Sequence, residues 1–176
     1  DIIPYTDIKA KIEIIEDGIS FQENAIIKAK KVFEYLSKSE DMEDSFILAD
    51  DSGLIVPELN NEPGIYSARY AGEDANDEAN NQKIIDKLNK KNIKKTPAYY
   101  ISAMCLYNEN TIKTSEGYLH GDIINRCKGN NGFGYDPLFI AKGMHQTLGE
   151  TTLEIKKDIS HRLEALKLMN EKIFQL

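Results

Sequence analysis

Apolar residues recur along the chain with two different periods, and these set the expected elements. From Phe21 to Leu36, the positions Phe21, Ala25, Ala29, Val32 and Leu36 fall at the spacing of one helical face. The stretch opens on Ser20-Phe21-Gln22-Glu23, a capping-box pattern in which hydroxyl and carboxylate satisfy otherwise unpaired amides at a helix start. Glu23, Lys30 and Glu34 lie opposite the stripe. Asn24 and Lys28, four apart along its edge, can lean their polar ends over a neighbouring site. A polar helix is expected from about Asp77 to Leu88. A C-terminal helix, from about Ser160 to Phe174, is expected to bury Leu163, Leu166, Leu168, Met169 and Ile173.

Strand signals lie between these helices. Ile12 to Ile15 reads as a short strand, followed by a Glu16-Asp17-Gly18 turn. In FILADDSGLIVPEL, the apolar runs Phe46–Ala49 and Leu54–Val56 each read as a strand. Asp50-Asp51-Ser52-Gly53 sits where the first run ends, and Asp, Ser and Gly are common turn residues. The runs AYYISAMCLYNE and TIKTSEGYLHGDIINRC, joined at Asn108-Glu109-Asn110, predict a long antiparallel hairpin. NGFGYDPLFIA predicts a glycine-punctuated loop entering a strand, and Thr151-Thr152-Leu153-Glu154 is a second capping-box candidate. This mixture points to an α/β or α+β domain with a mixed sheet. With no repeat, linker or low-complexity segment visible, residues 1–176 read as a single domain.

Composition narrows the function classes. The hydrophobic fraction is 41% and the charged fraction 29%, as in soluble globular proteins. No apolar run approaches the roughly 20 residues that span a bilayer, and no basic-then-apolar leader is seen, so no membrane partner is expected. The formal net charge of −7 argues against a nucleic-acid polymer as partner. The lysine-rich patch from Lys87 to Lys95 reads as a solvated helix end complementing the helix dipole. Cys105 and Cys127 have no companion at metal-ligand spacing, and both read as reduced thiols.

Three groups of residues can carry chemistry. Magnesium prefers oxygen ligands and is usually held by one or two carboxylates plus substrate phosphates. Asp51 at a strand end and Glu16 ahead of the first helix supply such a set, so at DDSG a metal site and a plain turn both stand. Alternation along a strand sends Asp50 and Asp51 to opposite faces, so only one of them faces a site. Lys28, Lys156, His161, Arg162 and Arg69 are candidates for phosphate or base-edge contacts, with Lys156 and His161-Arg162 gathered near a helix start. In GFGYDP, Gly132 and Gly134 permit close backbone approach, while Phe133 and Tyr135 offer flat faces for stacking. A tight loop with its aromatics in the core is the alternative. The Walker ending is absent.

FQENAIIKA, ADDSGL, PGIYSARYAG, GFGYDPLF and ISHR occur in the order found in the inosine triphosphate pyrophosphatases, also called dITP/XTP pyrophosphohydrolases. The chain resembles that family from about Ile12 to Leu168. The resemblance implies an elongated, two-lobed α/β fold with a central nucleotide-binding cleft, usually as a homodimer. It implies magnesium-dependent hydrolysis of ITP, dITP and XTP to the monophosphate and pyrophosphate, in the cytoplasm. By motif position, Asp51 resembles the family's metal-binding, water-activating carboxylate and Glu16 its second metal ligand. Lys28 corresponds to a phosphate-contacting lysine and Ser52 to a substrate contact. Phe133, Gly134, Tyr135 and Asp136 match the nucleoside-binding loop, with Phe133 as the stacking ring. Lys156, His161 and Arg162 match the base-recognition and phosphate end of the pocket. Family members begin with a strand, a Ser/Thr-Gly-Asn loop and a helix that precede the first residue here, and an unrecorded N-terminal unit is expected. Two other readings stand: a Maf-type pyrophosphatase acting on other modified or pyrimidine nucleotides, and a non-catalytic nucleotide-binding module.

Overall fold

A computed structural model of the chain describes residues 2–4, 12–38, 42 and 45–173. Ser20 caps the first helix, α1 (Phe21–Leu36), through its hydroxyl, which accepts from the Glu23 amide at 3.1 Å. The Glu23 carboxylate in turn accepts from the Ile19 amide at 2.8 Å. All five stripe residues, Phe21, Ala25, Ala29, Val32 and Leu36, are buried. The amphipathic pattern therefore sets which face of α1 meets the sheet. Ile12 to Ile15, expected as a strand, alternates half-buried and exposed residues but is not a strand of the described sheet.

The sheet is built on a long hairpin, β3 (Lys95–Tyr107) and β4 (Ile112–Ile124), turning at Asn108 to Thr111 as expected. β1 (Ile47–Val56) runs antiparallel to β3, and the short strands β2 (Glu62–Pro63) and β5 (Phe139–Ala141) complete the order β2-β1-β3-β4-β5. All of these pairings are antiparallel, where a mixed sheet was expected; the α/β layering of sheet and helices stands.

The largest departure from the sequence reading concerns DDSG. Residues 47 to 56 form one unbroken strand, and Asp50, Asp51, Ser52 and Gly53 pair with Met104, Ala103, Ser102 and Ile101. There is no turn between the two apolar runs. Gly53 serves close packing instead: an added Cβ would lie 2.3 Å from the Ser67 hydroxyl and 2.9 Å from the Phe21 ring.

Helices cover both faces. α1 lies on the face carrying Ala103 and Cys105, while α4 (His161–Ile173) lies on the other, packing Ala165 and Met169 against Met104 and Leu106. The expected end of this helix at Phe174 falls outside the described residues. The buried residues of α4 are His161, Ala165 and Met169, whereas Leu166 and Leu168 point outward. The reason lies in Gly117, where a Cβ would sit 2.2 Å from both the Ala165 nitrogen and the His161 carbonyl. The helix rests on bare backbone there, so small Ala165 faces inward in place of a leucine.

The largest core cluster occupies the other end of the sheet. Leu54, Val56 and Tyr100 meet Ile84 and Leu88 of α2 (Asp77–Lys90), together with Leu138 and Phe139. α3 (Leu153–Asp158) precedes α4. The capping box expected at Thr151–Glu154 forms one turn earlier, at Thr147 and Glu150, and the N-cap of α3 is Thr152. No helix among the described residues is long and apolar enough to cross a membrane. Cys105 is buried and Cys127 exposed, both as free thiols.

Candidate active site

Strand alternation sends Asp51 toward α1. Its carboxylate accepts from Lys28 Nζ at 3.1 Å and from Asn24 Nδ2 at 3.1 Å, both on the inner edge of α1. Glu16 reaches the same ammonium at 3.2 Å. Asn24 fixes both sides of this cluster, because its Oδ1 accepts from the Gly18 amide at 2.9 Å. One buried amide thus ties the Glu16-Asp17-Gly18 segment to Asp51. Sequence reasoning placed Asn24 at the edge of a site, but its role needed the fold to become visible.

Asp50 and Ser52 face the opposite side. Arg162, at the start of α4, donates from Nε to Asp50 at 3.1 Å and from an η nitrogen to Ser52 Oγ at 2.5 Å. Ser160 caps this helix, accepting from the Leu163 amide at 3.1 Å, so helix geometry and two acceptors fix the Arg162 guanidinium.

Ser52 and Leu54 form the floor of a cavity of about 200 Å³ whose walls come from the 133–136 loop, Lys156 and the start of α4. Phe133 forms one wall and is 59% exposed. The Lys156 ammonium lies 3.8 Å from its ring centroid, and the Arg162 guanidinium carbon 5.6 Å. Flat ring and paired cations together suit a planar, negatively charged ligand. Asp136 is buried and holds the loop shut: it pairs with Lys156, and its Oδ2 accepts from the Phe133 amide at 2.8 Å. Gly132 has φ of +81°, and a Cβ there would collide with the Asp136 carboxylate. Tyr135 is buried and donates its hydroxyl to the Ser67 carbonyl at 2.8 Å. Its ring supports the pocket from beneath, while Phe133 faces outward.

His161 is buried and stacks on Tyr100, with centroids 5.0 Å apart and planes 9° from parallel. Burial first, then the positive charges of Arg162 and Lys156, push its pKa down to about 3, which leaves it neutral at physiological pH. An Arg162 η nitrogen lies 3.4 Å from Nε2. Since a guanidinium only donates, Nε2 is the acceptor and the ring proton resides on Nδ1. Among the described residues, Nδ1 has no hydrogen-bond partner.

The structure therefore brings Ser52, Phe133, Gly134, Tyr135, Asp136, Lys156, His161 and Arg162 to one pocket, and Glu16, Lys28 and Asp51 to a cluster across β1. Arg69 stays outside both: it pairs with Glu73 at 3.7 Å and covers the Tyr66 ring. Lys87 and Lys91, in the lysine-rich patch, are taken up by Glu62 and Glu58.

Glu16 and Asp51 offer oxygen donors only, and both already share one positive charge in Lys28. Such a pair fits a magnesium ion completed by waters and phosphates. Among the described residues no group of three or more His, Cys, Asp or Glu gathers to hold a metal unaided.

An α/β fold with an aromatic, cation-walled pocket beside a carboxylate pair suits a ligand that joins a flat ring to negative charge. Comparison with known proteins narrows the choice. The model of the Ham1 family matches residues 1–172, and the chain belongs to this family. It is 51% identical to the dITP/XTP pyrophosphatase of Nautilia profundicola, over 97% of this chain and 84% of that protein. With the dITP/XTP pyrophosphatase of Campylobacter jejuni it shares 40% identity, over 96% and 83%. Among solved structures it is similar to a HAM1 protein from Coxiella burnetii, with a TM-score of 0.84 and 34% identity over 99% of this chain and 86% of that one. The Staphylococcus aureus Ham1 protein gives 0.81 and 36%, over 93% and 81%.

Proposed function

We propose that this chain hydrolyses non-canonical purine nucleoside triphosphates, such as ITP, dITP and XTP, to the monophosphate and pyrophosphate. The observation that carries the reading is the identity of 40 to 51% to dITP/XTP pyrophosphatases over nearly the whole chain.

The two clusters divide the substrate between them. The base stacks on Phe133, whose ring is exposed and already flanked by cations. From there the phosphates pass to Asp51, the neighbour of Ser52 on β1. Lys28 neutralises phosphate charge at the far end, and Glu16 and Asp51 would hold magnesium. Bound there, the ion would supply charge neutralisation for phosphoryl chemistry, which depends on electrostatics and alignment more than on covalent catalysis. The Asp51 carboxylate takes the proton of the attacking water.

Base choice follows from donors. The Arg162 guanidinium, held beside the neutral His161 ring, addresses a 6-oxo group, which hypoxanthine and xanthine present. Adenine offers an amino donor at that position and would leave the guanidinium unpaired. Homodimerisation and a cytoplasmic setting follow from the same family resemblance and are proposed with it.

Incubating the full-length protein with magnesium and ITP, XTP, dITP, GTP or UTP, and quantifying pyrophosphate against orthophosphate, tests the reading. Pyrophosphate from ITP and XTP, lost on chelation of magnesium, is expected. Orthophosphate as the direct product, or a preference for UTP, would overturn it.

A further inference from the structure

Phe133 is 59% exposed, so hydrophobic burial does not fix its ring. It stands between Gly132 and Gly134, at φ of +81° and +60°, a left-handed region that is open to glycine at little cost. Such a loop takes many conformations unless its backbone is held. On the Gly132 side, Asp136 holds the Phe133 amide.

On the Gly134 side the hold comes from α2. Asp77 Oδ2 accepts from the Gly134 amide at 2.6 Å, and Asn81 Nδ2 donates to the Gly134 carbonyl at 2.8 Å. The two side chains stand four residues apart, hence on one face of the helix. Both backbone polar groups of a single glycine are therefore gripped by one helical turn. That turn is itself anchored. Ile84 and Leu88 are fully buried, and Asn80 bonds the Ala71 amide at 2.7 Å and the Ala68 carbonyl at 3.0 Å. Asn81 is buried and reaches Gly134 across more than fifty residues of sequence.

We propose that Asp77 and Asn81 are positioning residues of the nucleotide pocket, clamping the Gly134 backbone so that the Phe133 ring is set for stacking before the base arrives. This rests on the nucleotide reading of the pocket. The clamp acts through preorganisation: it lowers the ordering cost of binding and leaves the chemistry at Asp51 untouched. Its loss therefore falls on KM and spares kcat.

The chain contains no tryptophan, so Phe133→Trp installs a single tryptophan, selectively excitable over the tyrosines, at the clamped position. Asp77 is exposed at the start of α2, and its substitution spares the core, whereas Asn81 is buried. The decisive comparison is Asp77→Ala, which removes the acceptor, against Asp77→Asn, which keeps an acceptor without the charge. In nucleotide-free protein carrying Phe133→Trp, the further change Asp77→Ala is expected to lower the tryptophan anisotropy and Asp77→Asn to retain it. With Phe133 in place, Asp77→Ala is expected to raise KM for ITP about fivefold, the worth of one hydrogen bond, with kcat held within about twofold. An unchanged anisotropy, an unchanged KM, or equal damage from Ala and Asn would each overturn the proposal. Should the parent protein fail to turn over ITP, the functional reading falls, and the anisotropy still decides whether the clamp holds the ring.

Discussion

Asp50 and Asp51 share a peptide bond and serve opposite faces of the sheet. Asp50 accepts from Arg162 on the α4 side, and Asp51 from Lys28 and Asn24 on the α1 side. The pleat of β1 makes this separation, since successive side chains alternate across a strand. Two adjacent carboxylates in a turn would repel each other without compensation. In a strand each finds its own cation, and the sheet lies between them. One strand thereby links the aromatic pocket to a carboxylate–lysine cluster with no loop intervening.

Asp51→Asn keeps the shape of the side chain and its contact with Asn24, but it removes the carboxylate proposed to take the proton of water. Turnover of ITP is expected to fall by at least about a hundredfold, with the unfolding transition close to that of the parent. Asp50→Asn, by contrast, is expected to raise KM and leave most of kcat, because it loosens Arg162 only. Steady-state kinetics with circular dichroism on both variants checks this; equal losses of kcat would remove Asp51 from its central role.

Phe133→Ala deletes an exposed ring whose neighbours are Lys156 and Arg162. Stacking of a base on an aromatic side chain is worth about 1–3 kcal/mol. KM for ITP is therefore expected to rise at least about fivefold with little change in stability. A KM equal to the parent's would contradict the stacking assignment.

How much of this is legible in the chain depends on whether local pattern or distant contact decides each element. The α1 helix is legible because its cap and its single apolar stripe point to the same answer. β1 reads as two strands because DDSG has turn composition; pairing with β3 and a partner for each carboxylate override that local preference. The inward face of α4 is hidden from the sequence because Gly117, far away along the chain, admits the helix so closely that alanine and histidine replace leucine. In the site, the loop Phe133–Asp136 and the group Lys156, His161 and Arg162 stand out by residue type. Asn24, Asp77, Asn81 and Tyr100 do not, because each acts only through a partner brought close by the fold.

Gly117→Ala tests that close approach. The added methyl would meet backbone atoms of α4, which cannot swing aside as a side chain can. Overpacking of this kind costs typically about 1–3 kcal/mol, so the urea midpoint should fall by a corresponding amount. Because α4 carries His161 and Arg162, KM for ITP should rise in the same variant. A normal KM alongside a lowered midpoint would show that the pocket tolerates displacement of the helix.

His161 gives the chain a pH dependence whose sign follows from its burial. Its folded pKa, pushed down to about 3, lies below the ordinary value of 6.5, so between these limits the unfolded chain binds a proton that the folded chain refuses. Stability contributed by the neutral ring is therefore fully present above about pH 6.5 and lost as pH falls toward 3, by up to about 1.4 kcal/mol per pH unit. His161→Phe keeps a flat ring against Tyr100 and cannot titrate. Urea unfolding at pH 7.5 and 5.0 is expected to show a larger loss for the parent than for this variant, in a range where most carboxylates remain ionised. Equal losses would mean that His161 accepts its proton in the folded state, and the neutral tautomer assigned to the pocket would fall with that result.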